Sequence, residues 1–378
     1  MLPMSAKTIE QIAALCADCA TCHSECPVYA AELVEPHSPR GKVNLIKALD
    51  DGRLRPNRLN RRLLYQCLIC GRCQAACPSQ VEFDQLMISH RNRLSGGHRI
   101  PLPKKLALFF YQGAILNRFL WIPRWLAKTP LRRKYFLPAS QRGNLKKIMT
   151  PETTEPFDVL LFPGCVLSYF YPRLADQIKS FLEKQGLRVA LPRGLACCGF
   201  PYLSQGWEKK FQRLRRHNQD RFARFRFRFL VVPCATGAGA FRSYYHLPPT
   251  TRVYELTEFI YKFMKKAAVN ESFPAQGQAV TYHDPCHSRY SLKINREPRF
   301  FLKKLGKKFI DDPEPLCCGF GGIFRLGFGK TSGKILARKR EHLADLGAGA
   351  VVTSCPGCYL QLKTSLPTPV YFFSEIFE

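Results

Sequence analysis

CADCATCHSECP, running from Cys16 to Pro27, and CLICGRCQAACP, running from Cys67 to Pro78, are two copies of one pattern, C-x2-C-x2-C-x3-C-P. Three closely spaced thiolates can hold three irons of one cubane, and the fourth, carried outward by the x3-Pro turn, reaches a neighbouring cubane. The spacing therefore assigns Cys16, Cys19, Cys22 and Cys77 to one 4Fe–4S cluster, and Cys67, Cys70, Cys73 and Cys26 to a second. A structural zinc site is the competing reading. Zinc asks for four ligands, usually as two separated pairs, and does not need two copies of one thiol quartet.

The rest of the chain bounds the context. It has 378 residues, 46% of them apolar, which suffices for two or three domains with true cores. Its 17 cysteines are odd in number and spaced for metal ligation, which argues against a secreted disulfide framework and for a reducing, cytosolic compartment. The N-terminus, MLPMSAKTIEQIAALC, lacks a basic region followed by an apolar run, so no signal peptide is expected. Apolar stretches such as Leu106 to Leu116 are too short to span a bilayer.

The formal charge of +30 is concentrated. No acidic residue occurs between Asp84 and Glu152, while 14 Lys and Arg fall between Arg91 and Lys147, together with Trp121 and Trp125. A basic, Trp-bearing, moderately apolar segment suits an anionic membrane surface. A solvated linker or a face for an acidic protein partner also fits. Nucleic acid is not expected, since no known reading module accompanies the charge. The run Lys209 to Arg228 holds nine basic residues against Asp220 alone, and its Arg-Phe alternation reads as a half-buried strand or an amphipathic helix end.

Short helices are expected at Thr8 to Leu15, Val43 to Leu49 and Leu59 to Tyr65, within a cluster-bearing unit of residues 1–98. Residues 99–156 form a proline-punctuated basic connector. Beyond it lies an internal repeat. DVLLFPGC ending at Cys165, ACCGFP at Cys197 and Cys198, and LVVPCATG at Cys234 recur as AVTYHDPC at Cys286, LCCGFGG at Cys317 and Cys318, and VVTSCPGC at Cys355 and Cys358. Every landmark recurs 120 or 121 residues later, which marks a duplication. In each copy β-branched runs end at cysteines and amphipathic stretches, such as Leu174 to Gln185 and Lys334 to Leu346, lie between. That alternation predicts α/β units, whose ligands gather at the carboxyl ends of the strands.

Two ferredoxin-type Cys runs followed by two such copies resemble the CCG-domain (cysteine-rich) iron–sulfur family. That family includes the heterodisulfide reductase catalytic subunit, the iron–sulfur subunits of glycolate and lactate dehydrogenases, and the membrane-anchoring subunit of anaerobic glycerol-3-phosphate dehydrogenase. YHDPCHS, LCCGFGG and TSCPGC look most like the glycolate/lactate branch. The resemblance implies an α+β multidomain chain: an α-helical two-cluster ferredoxin-like domain (1–98), the connector (99–156), and duplicated α/β CCG domains (157–270 and 271–378). It implies that Cys286, Cys317, Cys318, Cys355 and Cys358, a complete five-thiol set, bind a non-cubane 4Fe–4S cluster. The first copy has Cys165, Cys197, Cys198 and Cys234 but Gly237 where the fifth thiol should stand, so that site would hold a cluster, a zinc or nothing.

Around these sets, His283 reads as a proton donor or a hydrogen-bonding neighbour that tunes the cluster, or as an ordinary polar neighbour. Asp284 reads as a helix cap and His287 as an ordinary polar neighbour. Arg40 and Lys42 would neutralise cluster charge or lie on solvated surface. No Gly-rich dinucleotide fingerprint follows a strand, so substrate oxidation is expected on a partner. The implied function is the iron–sulfur electron-transfer subunit of a membrane-associated, respiratory, flavin-dependent 2-hydroxyacid dehydrogenase. Its partners would be an FAD-binding dehydrogenase subunit, quinone and the cytoplasmic face of an anionic membrane. The alternatives are a heterodisulfide-reductase-type thiol/disulfide reductase and the corresponding component of anaerobic glycerol-3-phosphate dehydrogenase.

Overall fold

The computed structural model describes residues 7–94, 148–153, 155–270, 272–273 and 278–377. Most of the basic connector, including Trp121, Trp125 and the run Arg132 to Lys134, lies outside them. The chain is an α+β multidomain protein, with an all-helical N-terminal unit followed by two parallel sheets.

The N-terminal helices begin where local chemistry starts them. Thr8 and Gln11 form a reciprocal capping box on Ile9–Ala14. Ser38 caps Pro39–Asp50, whose first-turn proline already has helical φ. Asn57 caps Arg58–Tyr65. Between the helices the Cys loops take backbone shapes that side chains disfavour: Asp18, Ala20 and Ile69 all have left-handed φ, at 57°, 62° and 49°. For β-branched Ile69 this is a costly geometry, which persists only where surroundings enforce it.

The first repeat builds β1 (Pro156–Leu161), β2 (Val189–Ala190), β3 (Arg226–Val232) and β4 (Arg252–Glu255) into a parallel sheet of order β2-β1-β3-β4. The second builds β5 (Val280–Tyr282), β6 (Phe309–Ile310), β7 (Ala350–Thr353) and β8 (Val370–Phe372) in the matching order β6-β5-β7-β8. The central pairs are in register as Leu160↔Leu230 and Thr281↔Val351. Val159, Leu160, Leu161, Val231 and Val232 are wholly buried, as a parallel sheet covered on both faces requires. Each such side chain contributes roughly 1.5–3 kcal/mol by leaving water. In both sheets the order reverses between the two central strands, which opens a crevice at their carboxyl ends.

The basic run from Lys209 to Arg228 is neither of the two forms expected of it alone. It spans most of a helix, Glu208–Phe222, and the start of β3. Its phenylalanines 211, 222 and 225 are buried and hold the arginines outward.

The repeats share one core. Tyr171 meets Tyr359 edge-on at 4.8 Å, and Phe181 of helix Pro172–Lys184 stacks on Phe377 at 4.8 Å. The N-terminal unit packs on both repeats, through Tyr65 to Gln205, Gln66 to Thr331, and Glu32 to Thr331 and Lys334. Arg91, which by sequence falls in the basic stretch, is instead fully buried. It donates to the carbonyls of Leu64, Tyr65, Cys67 and Ser204. Carbonyls of three turns need a multidentate donor there, and a guanidinium is the side chain with the reach and the fork.

Candidate metal centre

All seventeen cysteines are free thiols. They fall into four groups, built as follows.

In the N-terminal unit the burial of Cys22 raises its pKa, and the neighbouring Cys16 and Cys77 raise it further. Cys77 of the second run thus lies with the first run. Reciprocally, Cys26 lies with Cys67 and Cys70, and burial pushes its pKa up to about 12. Cys73 is half-buried beside Cys70, Cys67 and Cys26, and desolvation together with these thiols raises its pKa. Cys19 stands at the surface, with its thiol 3.3 Å from the Thr21 hydroxyl, a contact that lowers its pKa. Lys42 is almost wholly buried; burial lowers its pKa, while Cys67, Cys26 and Cys73 oppose that shift. Its ammonium donates to the His37 carbonyl. Arg40 is more exposed and is held by Glu35 and the Asp18 carbonyl beside the first group.

In each repeat the strand ends carry the thiols. Cys165 follows β1 and Cys234 follows β3; Cys286 follows β5 and Cys355 follows β7. The Cys-Cys-Gly turns add Cys197, Cys198, Cys317 and Cys318, and Cys358 sits in the first turn of helix Pro356–Lys363. Gly199 and Gly319 sit at φ 83° and 76°. A Cβ on Gly319 would lie 2.7 Å from the Ser332 carbonyl oxygen, so only glycine fits that turn.

The thiols then touch in sequence. Cys286 contacts Cys317, Cys317 contacts Cys318, and Cys318 lies 3.5 Å from Cys358. Cys358 contacts Cys355. Two contacts leave the second repeat: Cys286 touches Cys70 of the N-terminal unit, and Cys355 touches Cys234 of the first repeat. In the first repeat Cys165 contacts Cys197, which contacts Cys198. Within the web, contacts with Cys286 and Cys318 hold the pKa of Cys317 well below the ordinary thiol range. Cys355 is held down likewise by Cys234 and Cys358, while their partners are held up.

A dense set of buried thiols beside Lys42 and Arg72, with no disulfide among them, suits a multinuclear cation centre that binds thiolates. Arg72 stacks 4.8 Å over Tyr290 and ties Glu25 to the Pro315 carbonyl. Burial works against its charge, but Cys286, Tyr290 and Cys70 hold it protonated.

Three neighbouring residues depart from the sequence reading or complete it. Asp284 caps no helix; it is buried in a bidentate pair with Arg299, at 2.8 and 2.7 Å. His287 is no ordinary polar neighbour. Its Nε2 lies 2.6 Å from the Ile69 carbonyl and its Nδ1 2.6 Å from the Thr236 hydroxyl. A carbonyl only accepts, so Nε2 donates and Nδ1 accepts from Thr236. One imidazole thereby joins the N-terminal unit, the first repeat and the second. His283 is wholly buried beside Cys318 and Cys358. Lys339 and Asp312 form a fully buried pair nearby, at 3.1 Å. No spacing in the sequence flags that pair.

Fold and thiol groups together define a two-repeat cysteine-rich protein behind a dicluster domain. Comparison with known proteins agrees. A cysteine-rich CCG domain model matches residues 159–242 and 280–363, and a 4Fe-4S dicluster domain model matches residues 12–81. The chain thus carries two cysteine-rich CCG domains and a 4Fe-4S dicluster domain, and it resembles the CCG-domain iron–sulfur family. It is similar to the glycolate oxidase iron–sulfur subunit of Escherichia coli, at 25% identity over 98% of this chain and 94% of that one. It is also similar to a subunit of the fumarate reductase (CoM/CoB) of Methanothermobacter marburgensis, at 26% identity over 93% of this chain and 68% of that one. A hypothetical protein from Helicobacter pylori shares the fold, with a TM-score of 0.55 and 12% identity over 91% of this chain and 68% of that chain.

Proposed function

We propose that this chain is the iron–sulfur electron-transfer subunit of a flavin-dependent 2-hydroxyacid dehydrogenase complex, of the glycolate or lactate kind. The observation that supports it is the pair of thiol contacts Cys70–Cys286 and Cys355–Cys234, which join the groups in series. Such a series suits transfer through the chain rather than chemistry at one isolated site.

On this reading Cys16, Cys19, Cys22 and Cys77 hold one cubane, and Cys67, Cys70, Cys73 and Cys26 a second. Cys286, Cys317, Cys318, Cys355 and Cys358 hold a non-cubane cluster, and Cys165, Cys197, Cys198 and Cys234 form the first CCG site. Bound there, iron–sulfur clusters supply one-electron carriers. The protein's part is to exclude water, to offset thiolate charge through Lys42 and Arg72, and to lock the groups together through His287 and Arg72. The domain limits 1–98, 99–156, 157–270 and 271–378 follow the same grouping.

The substrate would be oxidised on an FAD-binding partner. Among the described residues no helix is long and apolar enough to cross a membrane. Association with the cytoplasmic face of an anionic membrane, and with quinone, would fall to the basic stretch ahead of Lys147. A heterodisulfide-type reductase remains the second reading. The contact between the two CCG groups favours it, and Gly237 in place of a fifth thiol disfavours it. Purifying the native complex tests the proposal. A co-purifying flavoprotein with glycolate or lactate oxidation, and at least roughly eight irons per chain, are expected. A chain that purifies alone, with zinc and near-zero iron after anaerobic reconstitution, would refute it.

A further inference from the structure

We infer that His283 is a direct contact of the second CCG centre, one ring nitrogen meeting the bound metal centre on the side of Cys318 and Cys358. The inference rests on the proposal that those thiols hold metal. His283 has no exposed surface, and neither Nδ1 nor Nε2 has a hydrogen-bond partner among the described residues. A buried imidazole whose two nitrogens both lack partners is rare, because the lost hydration is uncompensated. One of its nitrogens and the sulfurs of Cys318 and Cys358 all lie within 4.8 Å of one another. That is the spacing of ligand atoms around a common centre: the two sulfurs meet at 3.5 Å, and neither is hydrogen-bonded to the imidazole.

The first repeat shows that packing does not require a histidine here. Phe162 occupies the corresponding position, 121 residues earlier. Both residues directly follow the first strand of their sheet. Phe162 donates its backbone N–H to Val231 at 2.9 Å, and His283 donates its own to Val352 at 2.8 Å. Phe162 is buried against Phe222 and Phe241. The fold thus wants an aromatic-sized ring at this point, and a phenyl satisfies it in the repeat that lacks the fifth thiol. The repeat with all five thiols carries an imidazole instead and buries both its nitrogens. The nearby Asp312 does not orient the ring: its carboxylate accepts from Lys339 and His342 and makes no bond to His283. A neutral imidazole has one lone pair and one N–H to offer such a centre.

The test uses the full chain, anaerobically purified with its clusters and labelled with 15N-histidine. Pulsed paramagnetic resonance is read on the signal that Cys358→Ser removes. A histidine nitrogen coupling is expected in that signal, and His283→Phe, which copies the first repeat, should abolish it. A strong coupling means the nitrogen binds metal, and a weak one means its N–H meets a cluster sulfur; either supports direct contact. His283→Phe should also lose metal to a chelator about 10–100-fold more readily. Thr281→Val, a buried change on the same strand, should leave both readouts unaltered. No histidine coupling in the wild-type signal, with His283→Phe as chelator-resistant as wild type, would overturn the inference alone. If Cys358→Ser changes neither iron content nor spectra, the metal assignment fails and the inference falls with it.

Discussion

Substituting cysteine for Gly237 tests whether the missing thiol is what separates the two CCG groups. Gly237 is buried in the first turn of helix Ala235–Tyr244. A Cβ there would stand 3.1 Å from Val232 Cγ1 and 3.8 Å from Cys234 Cβ. Two effects oppose each other. Removing a helical glycine stabilises by up to about 1 kcal/mol through backbone entropy. Crowding a packed core costs about 1–3 kcal/mol. The crowding atom is a methyl that can yield by a few tenths of an ångström, so the net cost should be about 0–2 kcal/mol and the fold should survive. By repeat correspondence with Cys358, whose sulfur lies 3.5 Å from Cys318, the new thiol would approach Cys198. Gly237→Cys should therefore raise iron and acid-labile sulfide per chain and add a spectral feature. Gly237→Ala, with the same Cβ and no sulfur, should not. The assay is iron, sulfide and paramagnetic resonance after anaerobic reconstitution, with thermal unfolding as the control. If both variants fold and are indistinguishable in iron and spectra, the fifth thiol is not the deciding difference.

Arg91→Met should destabilise by about 3–5 kcal/mol, because carbonyls of Leu64, Tyr65, Cys67 and Ser204 lose their donor. It should also speed iron loss through the Cys67 turn, and an unchanged unfolding midpoint would refute the clamp. Glu255 is wholly buried and its pKa is raised from 4.5 to about 8, chiefly by burial. The folded state therefore favours the protonated acid, and its stability contribution is full below pH 4.5 and lost as pH rises through 8. Glu255→Gln should gain at pH 8–9, by at most about 5 kcal/mol, and lose that advantage at pH 4; denaturant titrations at the two pH values decide it. Reversing Arg132, Arg133 and Lys134 to Glu should weaken flotation with anionic liposomes, since each basic residue near such a surface contributes about 1 kcal/mol. Unchanged, salt-insensitive flotation would exclude electrostatic anchoring.

Much of this architecture is legible in the sequence. Cysteine spacing carries the thiol groups because the ligand count and the turn geometry are written into consecutive residues. The four central strands are legible as β-branched runs. The edge strands β2, β4, β6 and β8 are not: two to four residues long, they are fixed by pairing to a neighbour rather than by their own pattern. Arg91 and Asp284 escape a sequence reading for a related reason. A charged residue in a basic run, or an Asp after a strand, has the same sequence signature whether exposed or buried. Only tertiary contact with Arg299 or with four carbonyls distinguishes them.

His287 shows how the local and the long-range parts of the architecture are coupled. Cys286 and His287 are adjacent, yet from the second repeat they reach both other units. The thiol touches Cys70, and the ring holds the carbonyl of strained Ile69 and the hydroxyl of Thr236. Ile69 precedes Cys70, and Thr236 follows Cys234 by two residues. These three contacts across units therefore fall beside a cysteine of another group. A shift of the second repeat against the N-terminal unit cannot break the thiol contact and spare the imidazole bridge, because both hang on the same two residues at each end. The turn at Ile69, costly alone, is held in its left-handed form by the bond that registers the units. Spacing between groups that would exchange electrons is thus set by hydrogen bonds one or two residues from the thiols, together with the apolar cluster of Val28, Leu68, Phe324 and Ile335 on which Cys26, Cys70 and Cys286 pack.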